Sequence, residues 1–391
     1  MLGLGSALTT GSAHEQLYSL ILDGTGDYLD TGSSFQSTMQ GSFSWSFWAK
    51  PDDGQPGGSG AMVFLGTDNN ADEDALYITL ATNGKILVNH EANNDPANYL
   101  TNSAVFPNGA TDWTHICVTV TKDTNTSYIV YADGAAVAGS LTNAVAEAAH
   151  AAWASSDNFY IGALNDDGTA TRPITSKMDE VALFNVALSA AEVAGIYNNG
   201  RPFNLTNDFG DYDQSAALVA YWKMFDGAFD DKANGIVHDA HNPGYGAEMV
   251  TNGTFDDASG WNLDTGHAGW AISGGTLTYT DDESSSNWSY ADHLAHGDFT
   301  EGATYKVEFD VIGTHRVLLY IKGEIAMNSE HAPGHYVYYT VAGNSTGSGI
   351  RLAAQLVASN GSIDNLSVKK LNGYPGITAA DATFSTDTPD D

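Results

Sequence analysis

The sequence predicts an all-β fold made of two tandem antiparallel β-sandwiches of jelly-roll type, with one short helix closing the first. Three observations carry that expectation. Short runs of alternating apolar and polar residues recur along the chain, separated by turn residues. Glycine is abundant, at 42 residues, and Asn, Asp, Ser and Thr fill the gaps between the runs, as tight turns require. The chain has 391 residues, with 42% apolar and 11% aromatic content, which is enough for two cores.

Taken in order, residues 1–16 form an N-terminal arm and residues 17–203 the first sandwich. "LYSLILDGTGDYLDTG" reads as a strand, a glycine-rich turn and a second short strand. In "GSFSWSFWAKP", Phe43, Trp45 and Phe47 share one face, and Ser44, Ser46 and Trp48 the other. "ALYITLAT" and "GKILVNHE" flank the hairpin signal "NG". "THICVTVTKDTNTSYIVYADGAAVAGS" supplies two more strands and a "DG" turn, and "NFYIGALN" and "MDEVALFNV" follow. The helix begins at a capping box, Ser189 with Glu192, and carries an apolar stripe of Val193, Ile196 and Tyr197. "NNG" at 198–200 and Pro202 stop it.

Residues 204–246 read as a connector with one strand, "ALVAYWKM". Residues 247–372 form the second sandwich. Its clearest strand is "TYKVEFDVIG", with Tyr305, Val307, Phe309 and Val311 against Lys306, Glu308 and Asp310. "RVLLYIKG", "HYVYYTVAG", "GIRLAAQLV" and "SIDNLSVKKL" follow at short intervals. Residues 373–391 are an acidic tail with little apolar content, expected to stay mobile or to lie on a neighbouring molecule.

The net charge is −34, from 48 acids against 14 bases. Nucleic acid and anionic membrane surfaces both require a basic footprint and are excluded as partners. Such acidity suits salty water, where screening weakens self-repulsion, and points to a marine or halophilic setting. The start of the chain lacks the pattern of a signal peptide, and no window is apolar for about 18 residues, so a soluble chain made in a cytosol is expected. The single cysteine, Cys117, forms no intramolecular disulfide and reads as a small buried side chain. His115 lies on its face of the strand, but nothing else suggests a thiol enzyme.

Asp179 and Glu180 stand side by side in an apolar run, and paired carboxylates are the working groups of most glycoside hydrolases. Adjacent strand residues point to opposite faces, so these two share a cleft only if a bulge intervenes. Glu308 and Asp310 share a face, but position 313, where a third acid would complete the pattern, is Gly. A pair assembled from distant strands stays open. "VHDAH" (His238, Asp239, His241) and "SEHAPGH" (His331, His335) are candidate metal sites that read as loops. Trp48 and Trp153 in the first sandwich, and Trp261, Trp270 and Trp288 in the second, are candidates for stacking on sugar rings, with core packing as the other role.

Several blocks carry a family resemblance. "SLILDGTGDYLDTG", "GSFSWSFWAKP", "DWTHICVTVTKDTNTSYIVYADGAAVAGS" and the stretch ending "SKMDEVALFNVALSAAEVAGIYNNGRP" together resemble, in order, a laminin G-like, concanavalin A-like jelly roll over residues 17–203. That resemblance implies that the "DEV" strand pairs with the first strand. It also implies that Asp179 is structural, or a calcium ligand together with Asp23 or Asp27. Residues 247–372, with "TNGTFDD", the following Trp and "GSIDNLSVKKL", are similar to the galactose-binding-type jelly roll of carbohydrate-binding modules. Here the resemblance implies a structural Ca²⁺ held by the Thr254 carbonyl, Asp256 and Asp364.

The tandem arrangement as a whole resembles virion structural proteins of marine tailed bacteriophages. It implies a non-enzymatic capsid-decoration or fibre protein located in the virion and made in the host cytoplasm. Its partners would be capsid or other virion proteins and a glycan. A soluble lectin or accessory carbohydrate-binding protein is the alternative, and a glycoside hydrolase a third reading. Residues 1–14, "ALVAYWKM" and the tail from Gly373 have no evident place in either sandwich. They are expected to be ordered by neighbouring copies in a homo-oligomer, with a trimer favoured. Deleting the tail should then leave both sandwiches folded.

Overall fold

The computed structural model describes residues 16–56, 60–264, 269–280, 289–293, 299–312, 315–321, 324–343, 349–354, 361–379 and 382–390. The chain divides into two compact units, Met1–Pro243 with Gly373–Asp391, and Gly244–Asn372. Both are β-sandwiches.

Among the described residues, the first unit has an eight-stranded sheet whose centre is Thr114–Thr121, Phe43–Pro51, Thr175–Phe184 and Ser19–Asp23. The "DEV" strand, Thr175–Phe184, pairs with Ser19–Asp23, from Leu20 opposite Met178 to Asp23 opposite Thr175. The second sheet is built around the meander Met62–Asn69, Asp74–Leu80, Ile86–Ala92 and Asp95–Thr101. Strand alternation does the sorting. Phe43, Trp45 and Phe47 point into the core between the sheets with Phe64, Ile78, Val88 and Trp153. The other face of the first sheet is also covered. Cys117, Tyr131, Ala182 and Phe184 pack under the helix Ala190–Tyr197 and residues 203–221 in a separate apolar cluster. The helix starts on the expected box, with the Glu192 N–H donating to Ser189 Oγ, and ends at Asn198, whose φ is 46°.

The connector and tail differ from the sequence expectation. Leu218–Trp222 pairs with Thr175–Phe184, and Ile236–Val237 pairs with Gly376–Ala379. Gly376–Ala379 also pairs with Tyr28–Asp30, and Thr383–Ser385 pairs with Ser19–Asp23. The tail thus lies in both sheets of the first unit. Its low apolar content was a poor guide, because a strand added to an open edge is held chiefly by backbone hydrogen bonds. Ionic and buried contacts add to them. Asp387 accepts from Lys50 Nζ and from Trp113 Nε1 and sits 3.0 Å from Lys177 Nζ. The Trp222 indole donates to the Tyr374 carbonyl. Residues 1–14, the remaining segment of that expectation, lie outside the described residues.

The second unit has the sheet Trp270–Ile272, Leu277–Tyr279, Gly361–Leu371, Thr304–Ile312 and Gly334–Val341, with Tyr245–Glu248 beside Gly361–Leu371. The facing sheet is Trp261–Leu263, Ser289–His293, Ile350–Ala354, His315–Ile321 and Glu324–His331. Tyr305, Val307 and Phe309 turn inward, as their alternation requires, onto Phe255, Trp261, Tyr279 and Leu352. The ends of this unit meet, the Asn372 N–H donating to the Gly244 carbonyl and Tyr245 pairing with Leu371. It is an insertion in the first unit's chain.

Candidate functional site

The acidic pair sits on a bulge. Between Asp179, opposite Trp48, and Ala182, opposite Ser46, the strand advances three residues while its partner advances two. Glu180 takes up the extra residue with φ 51°, and its N–H donates to Asp179 Oδ1 at 2.8 Å. Asp179 is thus a local clamp on a left-handed residue that is not glycine. Both acids are buried, at 0% and 3% exposure. The Tyr221 hydroxyl donates to Glu180 Oε2, and the Gln16 side-chain amide lies 3.4 Å from Asp179 Oδ2. Burial, then the charges of Glu180 and Asp226, hold the Asp179 carboxyl well above its usual range. The cavity beside Glu180, walled by Trp48 and Phe203, measures about 10 Å³, room for about one water and no sugar. The bulge that would unite the two carboxylates therefore buries them.

The second unit repeats the device. Asn365 has φ 53° and donates its N–H to Asp364 Oδ1, and the register shifts there against Glu308 and Asp310.

The candidate calcium ligands fare differently in the two units. Asp23 lies opposite Thr175, so Asp179 stands four residues farther along the strand, roughly 13 Å at about 3.3 Å per residue. Asp27 accepts the Asp23 N–H. Asp23 and Asp27 therefore do not share an ion with Asp179. In the second unit the Leu366 N–H donates to the Gly253 carbonyl, which brings the loop carrying Thr254 and Asp256 close to Asp364. Thr254 Oγ1 donates to Asp256 Oδ2 at 3.0 Å. Among the described residues no group of three or more His, Cys, Asp or Glu side chains is arranged to hold a metal.

The tryptophans are core. Trp48, Trp153, Trp261 and Trp270 are 4%, 0%, 5% and 2% exposed, so none presents a ring to a sugar. Trp288 lies outside the described residues. Cys117 is buried, which pushes its thiol pKa up, and His115 Nε2 lies 2.9 Å from Ser46 Oγ. Glu308 pairs with Lys306, and Asp310 with His335 Nδ1. His331 is partnered by the Tyr338 hydroxyl. Asp239 is fully buried and accepts the N–H groups of Tyr221, His241 and Tyr374, tying connector to tail.

One open cleft lies in the first unit, with a volume of about 270 Å³. Asn204, Lys223, Asp226, Phe229, His238 and Pro243 are among its lining residues. The strand Leu218–Trp222 leads into it. The chain then turns through Met224 (φ 43°) and Phe225 (φ 79°), both buried in the sandwich core. Left-handed geometry at two bulky residues costs of order 1–3 kcal/mol each, and their burial holds it. The turn delivers Asp226. One carboxylate oxygen accepts the Leu17 N–H at 2.8 Å, and the other is buried with no hydrogen-bond partner among the described residues. Burial raises this carboxyl to about 6, against the lowering pull of the Leu17 and Tyr18 N–H groups and of Lys223. Asp230 braces the loop by accepting from the Gly227 and His238 N–H groups. Of these lining residues only His238 stood out in the sequence, as part of the candidate metal site "VHDAH".

Comparison with curated proteins finds none that matches. Among solved structures, a Bacteroides ovatus protein described as carbohydrate-binding is similar at 18% identity and a TM-score of 0.38, over 58% of this chain and 56% of its own. The chain thus spans little more than half of that protein. The CBM40 module of a Ruminococcus gnavus sialidase is similar at 12% identity and a TM-score of 0.37, over 46% of this chain and 96% of its own. A SAP-like pentraxin from Limulus polyphemus matches at 12% identity and a TM-score of 0.28, over 48% and 78%. Residues 23–194 match the profile of the concanavalin A-like lectin/glucanases superfamily, and in that stretch the chain carries a laminin G-type, concanavalin A-like jelly-roll domain.

Proposed function

We propose that the protein is a non-enzymatic, carbohydrate-binding β-sandwich protein of a virion surface. The observation that carries the non-enzymatic, binding part is the fate of its acids. The carboxylate pair Asp179 and Glu180 is walled in beside a cavity of about 10 Å³, while an open cleft of about 270 Å³ lies in the same unit. Hydrolysis needs two carboxylates flanking a glycosidic bond, roughly 5–9.5 Å apart, and binding needs only shape and hydrogen bonds. Virion placement rests on the resemblance of the tandem arrangement to phage structural proteins. It implies capsid or other virion proteins as partners; further copies of the chain, with a trimer favoured, rest only on residues 1–14, since "ALVAYWKM" and the tail pair within the first unit.

The purified protein should release no reducing ends from laminarin, agar or alginate, should retain glycans on an array, and should co-purify with particles. Cleavage abolished by Glu180→Gln would overturn the non-enzymatic reading. A protein found in the medium and absent from purified particles would return it to a free lectin.

A Ca²⁺ ion at the Thr254 carbonyl, Asp256 and Asp364 belongs to the same proposal. Ca²⁺ takes six to eight oxygens, so loop carbonyls and water would complete the shell. EDTA should lower the melting temperature of the second unit, since a ligand bound only to the native state stabilises it by mass action. Asp364→Ala should abolish that response. A melt of the second unit indifferent to EDTA would exclude the ion.

A further inference from the structure

We infer that the cleft between the strand Leu218–Trp222 and the loop that follows it binds one neutral, hydroxyl-rich pyranose unit, held by Asp226 and Lys223 and seated on the ring of Phe229. This inference rests on the carbohydrate-binding reading above and gives it a place. That place lies outside residues 23–194, the part of the chain that matches a known family.

Four observations converge there. The volume of about 270 Å³ falls just under the range of roughly 300–1,000 Å³ usual for ligand pockets, which suits one sugar ring rather than an oligomer. Phe229 lines the cleft and is 45% exposed, and its ring meets that of His238 at 5.9 Å between centroids. A pyranose presents an apolar C–H face that packs on such a ring. Asp226 brings a buried acceptor oxygen with no partner among the described residues, at the end of a turn strained at Met224 and Phe225. A buried acceptor left without a donor costs about 1–3 kcal/mol, which a ligand hydroxyl would recover. Lys223 lines the same cleft and supplies the matching donor.

Charge selects the class of sugar. Lys223 is the one cation among the lining residues and is offset by Asp226, and Asp230 stands behind the loop. On a chain of −34 an anionic sugar approaches against a repulsive field. A neutral ring escapes that penalty.

The test is amide NMR on the full ¹⁵N-labelled protein, titrated with methyl β-glucoside, methyl β-galactoside, methyl α-mannoside and, separately, 2,3-sialyllactose. At least one neutral glycoside should shift the amides of 223–229 and 238–240, with Kd in the millimolar range expected of a single ring with few contacts. Phe229→Ala should weaken that binding at least tenfold, and Phe229→Trp should keep it. Phe229 is exposed, so both variants should fold. Shifts confined to other residues would overturn the cleft and leave carbohydrate binding standing. Shifts in the cleft with sialyllactose alone would overturn the neutral class. No shift with any sugar, together with an empty glycan array, would overturn both readings.

Discussion

A chain ending at Asn372 should lose the fold of its first unit, although the deleted residues come last and are mostly polar. Residues 373–391 contribute Gly376–Ala379, which lies between Tyr28–Asp30 and Ile236–Val237, and Thr383–Ser385, which pairs with Ser19–Asp23. They also contribute the Tyr374 ring packed 4.8 Å from Phe35, the Tyr374 carbonyl that accepts the Trp222 indole, and the Asp387 carboxylate. At about 1 kcal/mol net for each of several hydrogen bonds, with the Trp222 indole and Asp239 Oδ2 each losing a tail partner, the loss is on the order of 5 kcal/mol or more. That is comparable to the whole stability of many domains. The second unit has its own core, its own two sheets and ends that already meet, and it should survive the deletion. Calorimetry on the truncated chain should therefore show one transition where the full chain shows two. Limited proteolysis should spare 244–372. A truncated chain retaining both transitions unshifted would show that the tail strands are dispensable.

The same segment shows what could and could not be read from sequence. Alternation placed Phe43, Trp45 and Phe47, and Tyr305, Val307 and Phe309, on inward faces, because a two-residue period is a local property of the backbone. The capping box of Ser189 and Glu192 was equally local. The tail strands were missed because their pairing partners lie about 140 to 360 residues away and the pairing asks little of the side chains. The acids Asp179 and Glu180 were conspicuous, but their role turned on two things that carry no composition signal. One is a bulge at Glu180, a residue with no special liking for positive φ; the other is the cover supplied by Phe203 and Tyr221 from the connector. An Asp whose carboxylate clamps the next N–H recurs at Asp364 and Asn365, so "DE" and "DN" before an apolar residue are the nearest thing to a readable sign. The cleft was illegible because Met224 and Phe225 are ordinary apolar residues whose left-handed turn is imposed by tertiary burial.

Stability should change little between about pH 6.5 and 4 and then collapse, because buried bases and buried acids oppose each other over that window. His90 and His115 are fully buried and pushed down to about 3, and His150 is lowered too, all chiefly by desolvation. An unfolded histidine takes its proton near 6.5 and the folded one does not, so stability present above 6.5 is lost as pH falls toward 3. The slope is about 1.4 kcal/mol per pH unit for each group. Asp226 and Asp239 are raised to about 6, and Asp179 is raised as well, again chiefly by burial. These bind protons in the folded state before the unfolded one does, so acidification from about 6 to 3.8 relieves the cost of their buried charge. The acid gain and the histidine loss have opposite signs over nearly the same interval. Below 3.8 the raised acids are protonated in both states and give nothing more, while the histidines continue to about 3. Asp387, held near 2 by Lys50, Trp113 and Lys177, then begins to lose its clamp on the tail. Melting temperatures at fixed salt should thus form a plateau with a sharp acid edge. Asp226→Asn separates the two contributions. It keeps an acceptor for the Leu17 N–H and removes the buried charge, so it should melt above the natural protein at pH 8 and by a clearly smaller margin at pH 4.5. A variant that melts lower at pH 8 would mean that the ionised carboxylate, and not its neutral form, is what the turn after Trp222 was built to hold.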